Sequence, residues 1–478
     1  MKKNISILFA ACSILMLGSC KKWLSISPKI EMSTDKVFSS EQTVKDALSG
    51  VYVLMKDQSV YGQDLSYRYI DNMASLWEVT SASMDESFNL HQYNKVTPQV
   101  DNIYGKLYNA IANLNNIIEN IELNKSVFKS KDLYDIIKGE SLALRAFLHF
   151  DLMRLYGPVP SKAESGGPKL AYVENISKEI NVPISFEEYK TRILRDLHEA
   201  QLLLKNDPLL FYSAEALRSP SEFAKIANMN EFFANRTSRM NYYAAKSIEA
   251  RVNLWYGDKP QAYEAAMEVI NAKNADGTRK FDINKTRNAL IGKTDNLLVC
   301  EQIFGLFDYN LPNKYTLSFA NGQLFNGKNS DKIVKTMFGN TGTDIRELYL
   351  WEKRDYIGGV SKFITNKYNS SAMNRQIPII RLSELYFIAI ESSASKSTVQ
   401  PLWDEYRATR YIAPKTLPVG EALLRSEILI EFRKEFYAEG QLFYLYKRYN
   451  SPKSEILFAS ALLSPNYVLP LPKTELGN

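Results

Sequence analysis

The chain has 478 residues and a formal net charge of +6 at pH 7, with basic and acidic residues interspersed. This mild, evenly spread charge excludes a nucleic-acid-binding surface, which needs clustered lysine and arginine. The length exceeds that of one ordinary core and indicates two lobes or an array of repeats. Tyrosine is abundant, with 29 residues, so the core cannot be expected to hold every aromatic ring.

The N-terminus has the pattern of a bacterial lipoprotein signal. Two lysines precede an apolar run over residues 5–17, which is shorter than the roughly 20 residues of a membrane-spanning helix. Two small residues then precede Cys20, as transfer of a diacylglycerol to the thiol requires. We predict a signal peptide over residues 1–19 and lipidation of Cys20, with an ordinary secretory signal as the alternative. Two or three acyl chains are enough for stable tethering to a membrane.

Periodic apolar residues and capping residues predict a mostly helical chain. The pair 241–256 and 260–270, joined by Gly257 and Asp258, resembles a tetratricopeptide helix pair, with a generic helical hairpin as the alternative. Residues 56–98 are irregular by pattern and are predicted to form a long loop region, of the kind that often carries function. The other predicted helices cover residues 41–55, 103–121, 138–156, 187–204, 382–393, 401–411 and 420–446.

Patterns that carry catalysis are weak. The three histidines, His91, His149 and His198, are widely separated, and the chain has no zinc-protease, nucleophile-elbow or phosphate-loop motif. The segment 274–277 resembles the start of a calcium loop, but its twelfth position is Ile283, which cannot bind a cation. We therefore predict no catalytic residue, no metal and no cofactor. Once the signal is removed and Cys20 is lipidated, Cys300 remains, and we expect it to be a small buried apolar residue.

A series of short motifs resembles, in the right order, the SusD/RagB family of Bacteroidetes outer-membrane nutrient-binding lipoproteins. The strongest match is Ala-Leu-Arg-Ala followed by Leu-Tyr-Gly-Pro-Val-Pro within residues 143–160. The chain departs from the family pattern in three places: Gln441 replaces an arginine, Ala389-Ile390-Glu391 replaces a more common Ala-Glu-Ala, and two lysines follow Cys20 where surface-export signals carry acidic residues. The other matching segments are residues 20–28, 108–118, 250–258, 344–346, 380–391, 431–441 and 471–475.

The resemblance implies a SusD-like fold, mostly α, with tetratricopeptide-like helical pairs and loop-rich insertions. It implies an N-terminal SusD-like region over residues 20–290 and a C-terminal SusD/RagB-type region over residues 291–478. It also implies a glycan- or nutrient-binding lipoprotein, not an enzyme. Such a protein is lipid-anchored at the outer membrane, faces the cell exterior and forms the substrate-capturing lid of a TonB-dependent, SusC-like transporter. The alternative is a tetratricopeptide-like scaffold that binds protein or peptide nutrients.

Aromatic residues in the irregular segments are the candidate ligand contacts. Sugar rings present flat apolar faces and surrounding hydroxyls, which aromatic side chains and nearby polar groups can match. We select Trp77, Tyr93, Tyr309 and Tyr315 on this basis, because they lie within residues 56–98 and 305–325.

Overall fold

The computed structural model describes residues 37–167, 169–177, 180–369 and 374–476, so the predicted signal peptide and Cys20 lie outside the described residues. The described chain is mostly helical, as predicted. Its longer helices are α1 (Glu41–Met55), α2 (Thr97–Leu123), α3 (Lys131–Tyr156), α4 (Phe186–Leu203), α5 (Tyr242–Trp255), α6 (Lys259–Ile270), α7 (Leu382–Ser392), α8 (Lys396–Thr409), α9 (Glu421–Glu435) and α10 (Leu442–Tyr449).

Shorter elements fill the segments between these helices. The short α-helices are Tyr69–Met73, Met84–Asn89, Pro208–Phe211, Ala214–Arg218, Pro220–Phe223, Lys285–Ile291, Leu311–Tyr315, Ile345–Leu350 and Lys473–Leu476. Turns of 3₁₀ helix cover Tyr93–Lys95, Lys125–Val127, Pro160–Ser165, Leu204–Asn206, Glu231–Phe233, Arg236–Ser238, Val299–Glu301 and Lys453–Glu455. Thr316–Ala320 and Ile333–Met337 are single π-helical turns.

Four strands form two antiparallel pairs. β1 (Gln302–Phe307) pairs with β4 (Gln376–Arg381), and β4 leads directly into α7. β2 (Trp351–Tyr356) and β3 (Val360–Thr365) form a hairpin, in which Tyr356 lies opposite Val360.

Consecutive helices pack on one another from α1 to α8, which is the arrangement of a helical repeat array. The predicted pair is present as α5 and α6, and Gly257 at their turn has a φ of +85°. Asp258 is the residue before α6, and its carboxylate pairs with Lys190 of α4 and does not cap the helix. Buried apolar residues from Phe38 to Leu469 form one continuous core. The division into regions 20–290 and 291–478 is not marked by a break in this core and stays a prediction.

The predicted single helix over residues 420–446 is wrong, because the helical conformation is interrupted between α9 and α10. Ala438 and Gly440 lie in this break and have φ values of +59° and +67°. A Cβ atom at position 440 would lie 2.4 Å from the carbonyl oxygen of Leu65, so the close approach of these segments requires glycine. A periodic apolar pattern continues through the break, which is why the sequence did not reveal it.

A network of buried charges joins the C-terminal elements, and Glu435 of α9 is at its centre. The carboxylate of Glu435 accepts hydrogen bonds from Arg346 at 3.2 Å, Arg381 at 2.9 Å and Arg410 at 2.7 Å. Burial alone raises the pKa of Glu435, but the guanidinium groups of Arg410 and Arg381 outweigh it and hold the pKa well below its usual range. The carboxylate therefore remains ionised inside the protein.

The network extends from Glu435 to β1, β4 and the segment after β3. Arg381 donates to Glu301 at 3.1 Å and to Glu439 at 2.8 Å, and Arg410 also donates to Glu301 at 2.7 Å. Lys367 donates to Glu439 at 2.5 Å. Each of these side chains is at most 4% exposed, so no single partner can be removed without leaving a buried charge uncompensated.

The variant Glu435→Gln removes the central charge and should lower the free energy of unfolding by about 3–5 kcal/mol. The matched control is Glu421→Gln at the start of the same helix, where the side chain is 85% exposed and pairs with Lys259. The control should change stability by less than about 1 kcal/mol. Urea unfolding followed by circular dichroism measures both, and equal stabilities of the two variants would contradict the role of the network.

Two buried histidines are kept neutral by burial, and both rings are hydrogen-bonded to backbone groups. His91 donates from Nε2 to the carbonyl of Met73 at 2.8 Å, and its Nδ1 accepts from the amide of Asn466 at 2.9 Å. His149 accepts at Nε2 from the amide of Val173 at 3.2 Å. Burial lowers the pKa of His91 to about 4 and that of His149 to about 3. These contacts give His149 a structural role.

The stability that these two histidines contribute should therefore fall in acid, whereas the buried carboxyls Asp64, Asp71 and Asp295, whose pKa burial raises, act in the opposite direction. Both histidine pKa values in the folded state lie below the unfolded value of about 6.5, so at these two sites the unfolded state binds more protons, and their contribution to the free energy of unfolding decreases from about pH 6.5 toward pH 4. Burial raises the pKa of Asp64 to about 7, so this carboxyl binds its proton more tightly in the folded state. It therefore makes the protein more stable as the pH falls over this range. Comparison of each variant with the wild type isolates the histidines: His91→Gln and His149→Gln should each reduce the pH slope by up to about 1.4 kcal/mol per pH unit. Slopes that match the wild type in both variants would contradict the assignment.

Candidate functional site

Exposed aromatic rings beside cationic side chains occur on two patches of one loop-rich region. The first patch follows β1, where Tyr309 is 74% exposed and the Arg375 guanidinium lies 4.9 Å from the centre of its ring. Arg375 also donates to the carbonyl oxygen of Tyr309 at 3.2 Å. The amide of Asp308 donates to the carbonyl of Arg375 at 2.8 Å, so the backbone of both segments is fixed while the tyrosine ring stays accessible.

The second patch lies on the β2–β3 hairpin and the loop that packs against it. The Lys362 ammonium lies 4.1 Å from the ring centre of Phe325 and 5.2 Å from that of Tyr356, and it donates to the carbonyl of Gly322 at 2.8 Å. Burial lowers the pKa of Lys362, and repulsion from Lys328 lowers it further. Lys362 forms no ion pair with a described residue, so its charge is available to a ligand.

Glycine allows the tyrosine of this second patch to lie close to the loop. Gly322 has a φ of +69°, and a Cβ atom there would lie 2.7 Å from Cζ of Tyr356. The Tyr356 hydroxyl donates to the carbonyl of Ala320 at 3.0 Å, and Arg354 donates to the same carbonyl at 3.2 Å. Arg354 also pairs with Glu352 at 3.0 Å. The half-buried ring and its polar neighbours are therefore fixed in position before any ligand binds. We call the two patches together the loop surface: Tyr309, Phe325, Arg354, Tyr356, Lys362 and Arg375.

Three of the four predicted contact residues, Trp77, Tyr93 and Tyr315, are buried in the core. Trp77 is 3% exposed, donates from Nε1 to the carbonyl of Tyr67 at 2.7 Å and meets the ring of Tyr437 edge-on. Tyr93 is also 3% exposed, and its hydroxyl donates to the carbonyl of Asn466 at 2.8 Å. Neither ring presents a face to solvent. The segment 56–98 is more ordered than predicted, because its aromatic residues pack inward.

Tyr309 and Tyr315 belong to the region of the loop surface. Tyr309 is exposed, as the first patch requires. Tyr315 is 7% exposed, and its hydroxyl donates to Asn366 at 2.8 Å, so it supports the region from within. Sequence reasoning missed Phe325, Tyr356 and Lys362. The Gly358-Gly359 pair between β2 and β3 was a hairpin signal that could have located two of them.

Other chemistry has little support in the described residues. They contain no group of three or more histidine, cysteine or acidic residues that could hold a metal ion. Cys300 is half-buried, less fully than predicted, and burial and the neighbouring acids Glu301 and Asp295 raise the pKa of its thiol to about 12, so it is unreactive. None of the described helices is both long and apolar enough to cross a membrane.

The sequence comparisons find similarity to SusD-like proteins. Residues 22–233 match a SusD-like family model described as starch-binding and associating with the outer membrane. Two SusD-like proteins of Formosa agariphila are 23% identical over 264 residues and 26% identical over 265 residues. These matches cover 53% and 52% of this chain, and the chain spans less than half of each relative, at 43% and 48% of its length.

Solved structures give the same fold. A SusD homolog from Bacteroides thetaiotaomicron has a TM-score of 0.67 at 15% identity, over 91% of this chain and 95% of that one. A protein from Bacteroides vulgatus that is described as a putative sugar-binding protein has a TM-score of 0.64 at 19% identity, over 91% of this chain and 96% of that one. A laminarin-binding SusD-like protein has a TM-score of 0.63 at 14% identity, over 92% and 97%. The chain therefore has the fold of the SusD proteins, and its residues 22–233 are similar to the SusD-like family model.

Proposed function

We propose that the chain captures glycans at its loop surface and delivers them to an outer-membrane transporter. The observation that carries this proposal is the pairing of accessible aromatic rings with cationic groups at Tyr309–Arg375 and at Tyr356–Lys362. An aromatic ring can pack against the C–H face of a sugar, and adjacent charged donors can bind its hydroxyls. The starch-binding description of the family and the laminarin-binding relative support this ligand class.

The transporter and the membrane anchor complete the proposal. The family resemblance supports a TonB-dependent, SusC-like transporter as partner, and the family description supports the outer membrane as location. The signal pattern supports lipidation of Cys20, with the body of the protein facing the cell exterior. Co-purification from the native outer membrane tests the partnership.

Removal of an aromatic platform should weaken glycan binding. Tyr309→Ala and Tyr356→Ala should each raise the Kd for a bound oligosaccharide about tenfold, which corresponds to about 1.4 kcal/mol. Calorimetry against maltohexaose, laminarihexaose and a wider glycan panel measures the change. The matched control is Tyr411→Ala, because Tyr411 is 40% exposed and lies 4.3 Å from the Arg287 guanidinium, outside the loop surface.

Two results would count against glycan capture at this surface. One is the absence of binding to any oligosaccharide at millimolar concentration. The other is an equal loss of affinity in the control Tyr411→Ala, which would place the ligand elsewhere.

Lipidation should depend on one cysteine. Cys20→Ser should abolish incorporation of an alkyne-labelled palmitate and release the protein from the membrane fraction, because the thiol is the acceptor of the lipid. Cys300→Ser is the matched control and should keep both the label and the membrane association. A palmitate label that persists in Cys20→Ser contradicts the anchor, and protease accessibility on intact cells reports the leaflet.

A further inference from the structure

A large groove lies on the helical part of the molecule, away from the elements of the loop surface. It has a volume of about 1600 Å³ and runs between the turn of the α5–α6 pair and the C-terminal helices α9 and α10. A smaller cavity of about 50 Å³ adjoins it. The two spaces share the lining residues Leu254, Trp255, Glu391 and Arg448.

Half-buried aromatic rings line the groove on both sides. On one side, the ring centres of Phe186 and Tyr256 are 4.3 Å apart. On the other side, the Tyr449 ring has the guanidinium groups of Arg425 and Arg448 at 4.5 Å and 4.7 Å from its centre. Groups of these kinds bind ring-shaped ligands through their faces and edges.

Three of the groove's cations, Lys259, Arg425 and Arg448, are paired with carboxylates, and the fourth, Lys396, is bound by backbone carbonyls. Arg448 makes two hydrogen bonds to Glu391, at 2.6 Å and 2.7 Å, and Arg425 pairs with Glu455 at 2.6 Å. Lys396 is directed to the end of α7, where it donates to two backbone carbonyls at 2.7 Å and 2.9 Å. A polyanionic ligand would find no excess positive charge here, so the charge pattern favours a neutral one.

Several buried polar atoms of the lining residues have no partner among the described residues. They are Nε1 of Trp255, the hydroxyls of Tyr256 and Ser392, and Nη1 of Arg251 in the smaller cavity. Trp255, Ser392 and Arg251 are only 4%, 5% and 6% exposed. An unsatisfied buried polar atom costs about 1–3 kcal/mol, so small adjustments that let a hydroxyl-rich ligand reach these atoms are favourable.

We propose that this groove is a second ligand site, which binds a segment of a neutral oligosaccharide. The volume exceeds the roughly 300–1,000 Å³ of a pocket for one small molecule, which suits several sugar rings in a row. A peptide fits less well: helices and their connections form the walls and offer no strand edge to an extended backbone, and the ion pairs interrupt the apolar surface that an amphipathic helix needs. The site is independent of the loop surface.

The test uses the mature protein with the loop surface disabled by Tyr309→Ala and Tyr356→Ala. In this background, Ser426→Trp places a large side chain into the groove from α9, where Ser426 is an exposed lining residue. The matched control is Leu423→Trp on the same helix, at a position that is 67% exposed and outside the lining. A second variant, Tyr263→Ala, removes a half-buried lining ring without filling space.

Calorimetry with maltohexaose, laminarihexaose and xylohexaose should detect binding that remains in this background. Ser426→Trp and Tyr263→Ala should each raise the Kd at least tenfold, and Leu423→Trp should leave it unchanged. The proposal is overturned if no oligosaccharide distinguishes Ser426→Trp from Leu423→Trp, whether or not the loop surface binds glycans. Binding of tryptic casein peptides that Ser426→Trp blocks, without oligosaccharide binding, also overturns it and identifies a peptide groove.

Discussion

Glu435 brings three guanidinium groups together inside the protein, and the arrangement of the C-terminal elements depends on these contacts. Its partners come from the short helix after residue 344, from the junction of β4 with α7, and from the end of α8. Burying several charges costs free energy that hydrophobic contacts would not incur. The network therefore selects one arrangement of these segments, since any other arrangement leaves a charge unpaired. Through Lys367 and Glu439 it also holds the residues directly after β3, and so the base of the hairpin that carries Tyr356.

Three of the segments that carry the family resemblance contribute members of this network. Arg346, Arg381, Glu435 and Glu439 all lie in matching segments, and all are buried in ion pairs. Arg145 of the strongest matching segment is likewise buried and pairs with Asp196 at 2.7 Å. These residues set the fold and do not contact the loop surface or the groove. The family resemblance therefore predicted the architecture well, but it did not indicate which side chains meet a ligand, although two matching segments supply Trp255, Tyr256 and Glu391 to the groove.

Local patterns and tertiary contacts differ in how far the sequence reveals them. The helices were predictable because each buries one apolar face at the helical period; α1 begins and ends at the predicted residues 41 and 55. The interruption of the helix at Gly440 was not predictable, because it is caused by a close approach to the backbone of Leu65, which is distant along the chain. The contacts within the loop surface were not predictable for the same reason. Phe325 and Lys362 meet because the segment at residue 326 bridges to β3 at residue 363, and no local pattern encodes that contact.

The aromatic residues chosen from the sequence still bear on the site, from one layer below it. Trp77 packs against Phe319 with ring centres 5.7 Å apart, and Tyr315 stacks on the same ring at 6.2 Å. Phe319 belongs to the π-helical turn that ends at Ala320, whose carbonyl accepts the hydrogen bonds of Arg354 and Tyr356. A continuous set of contacts thus runs from the buried tryptophan to the accessible tyrosine. Because the buried rings hold the turn and the turn holds the hairpin side chains, the loop surface is rigid enough to bind a ligand without first being ordered.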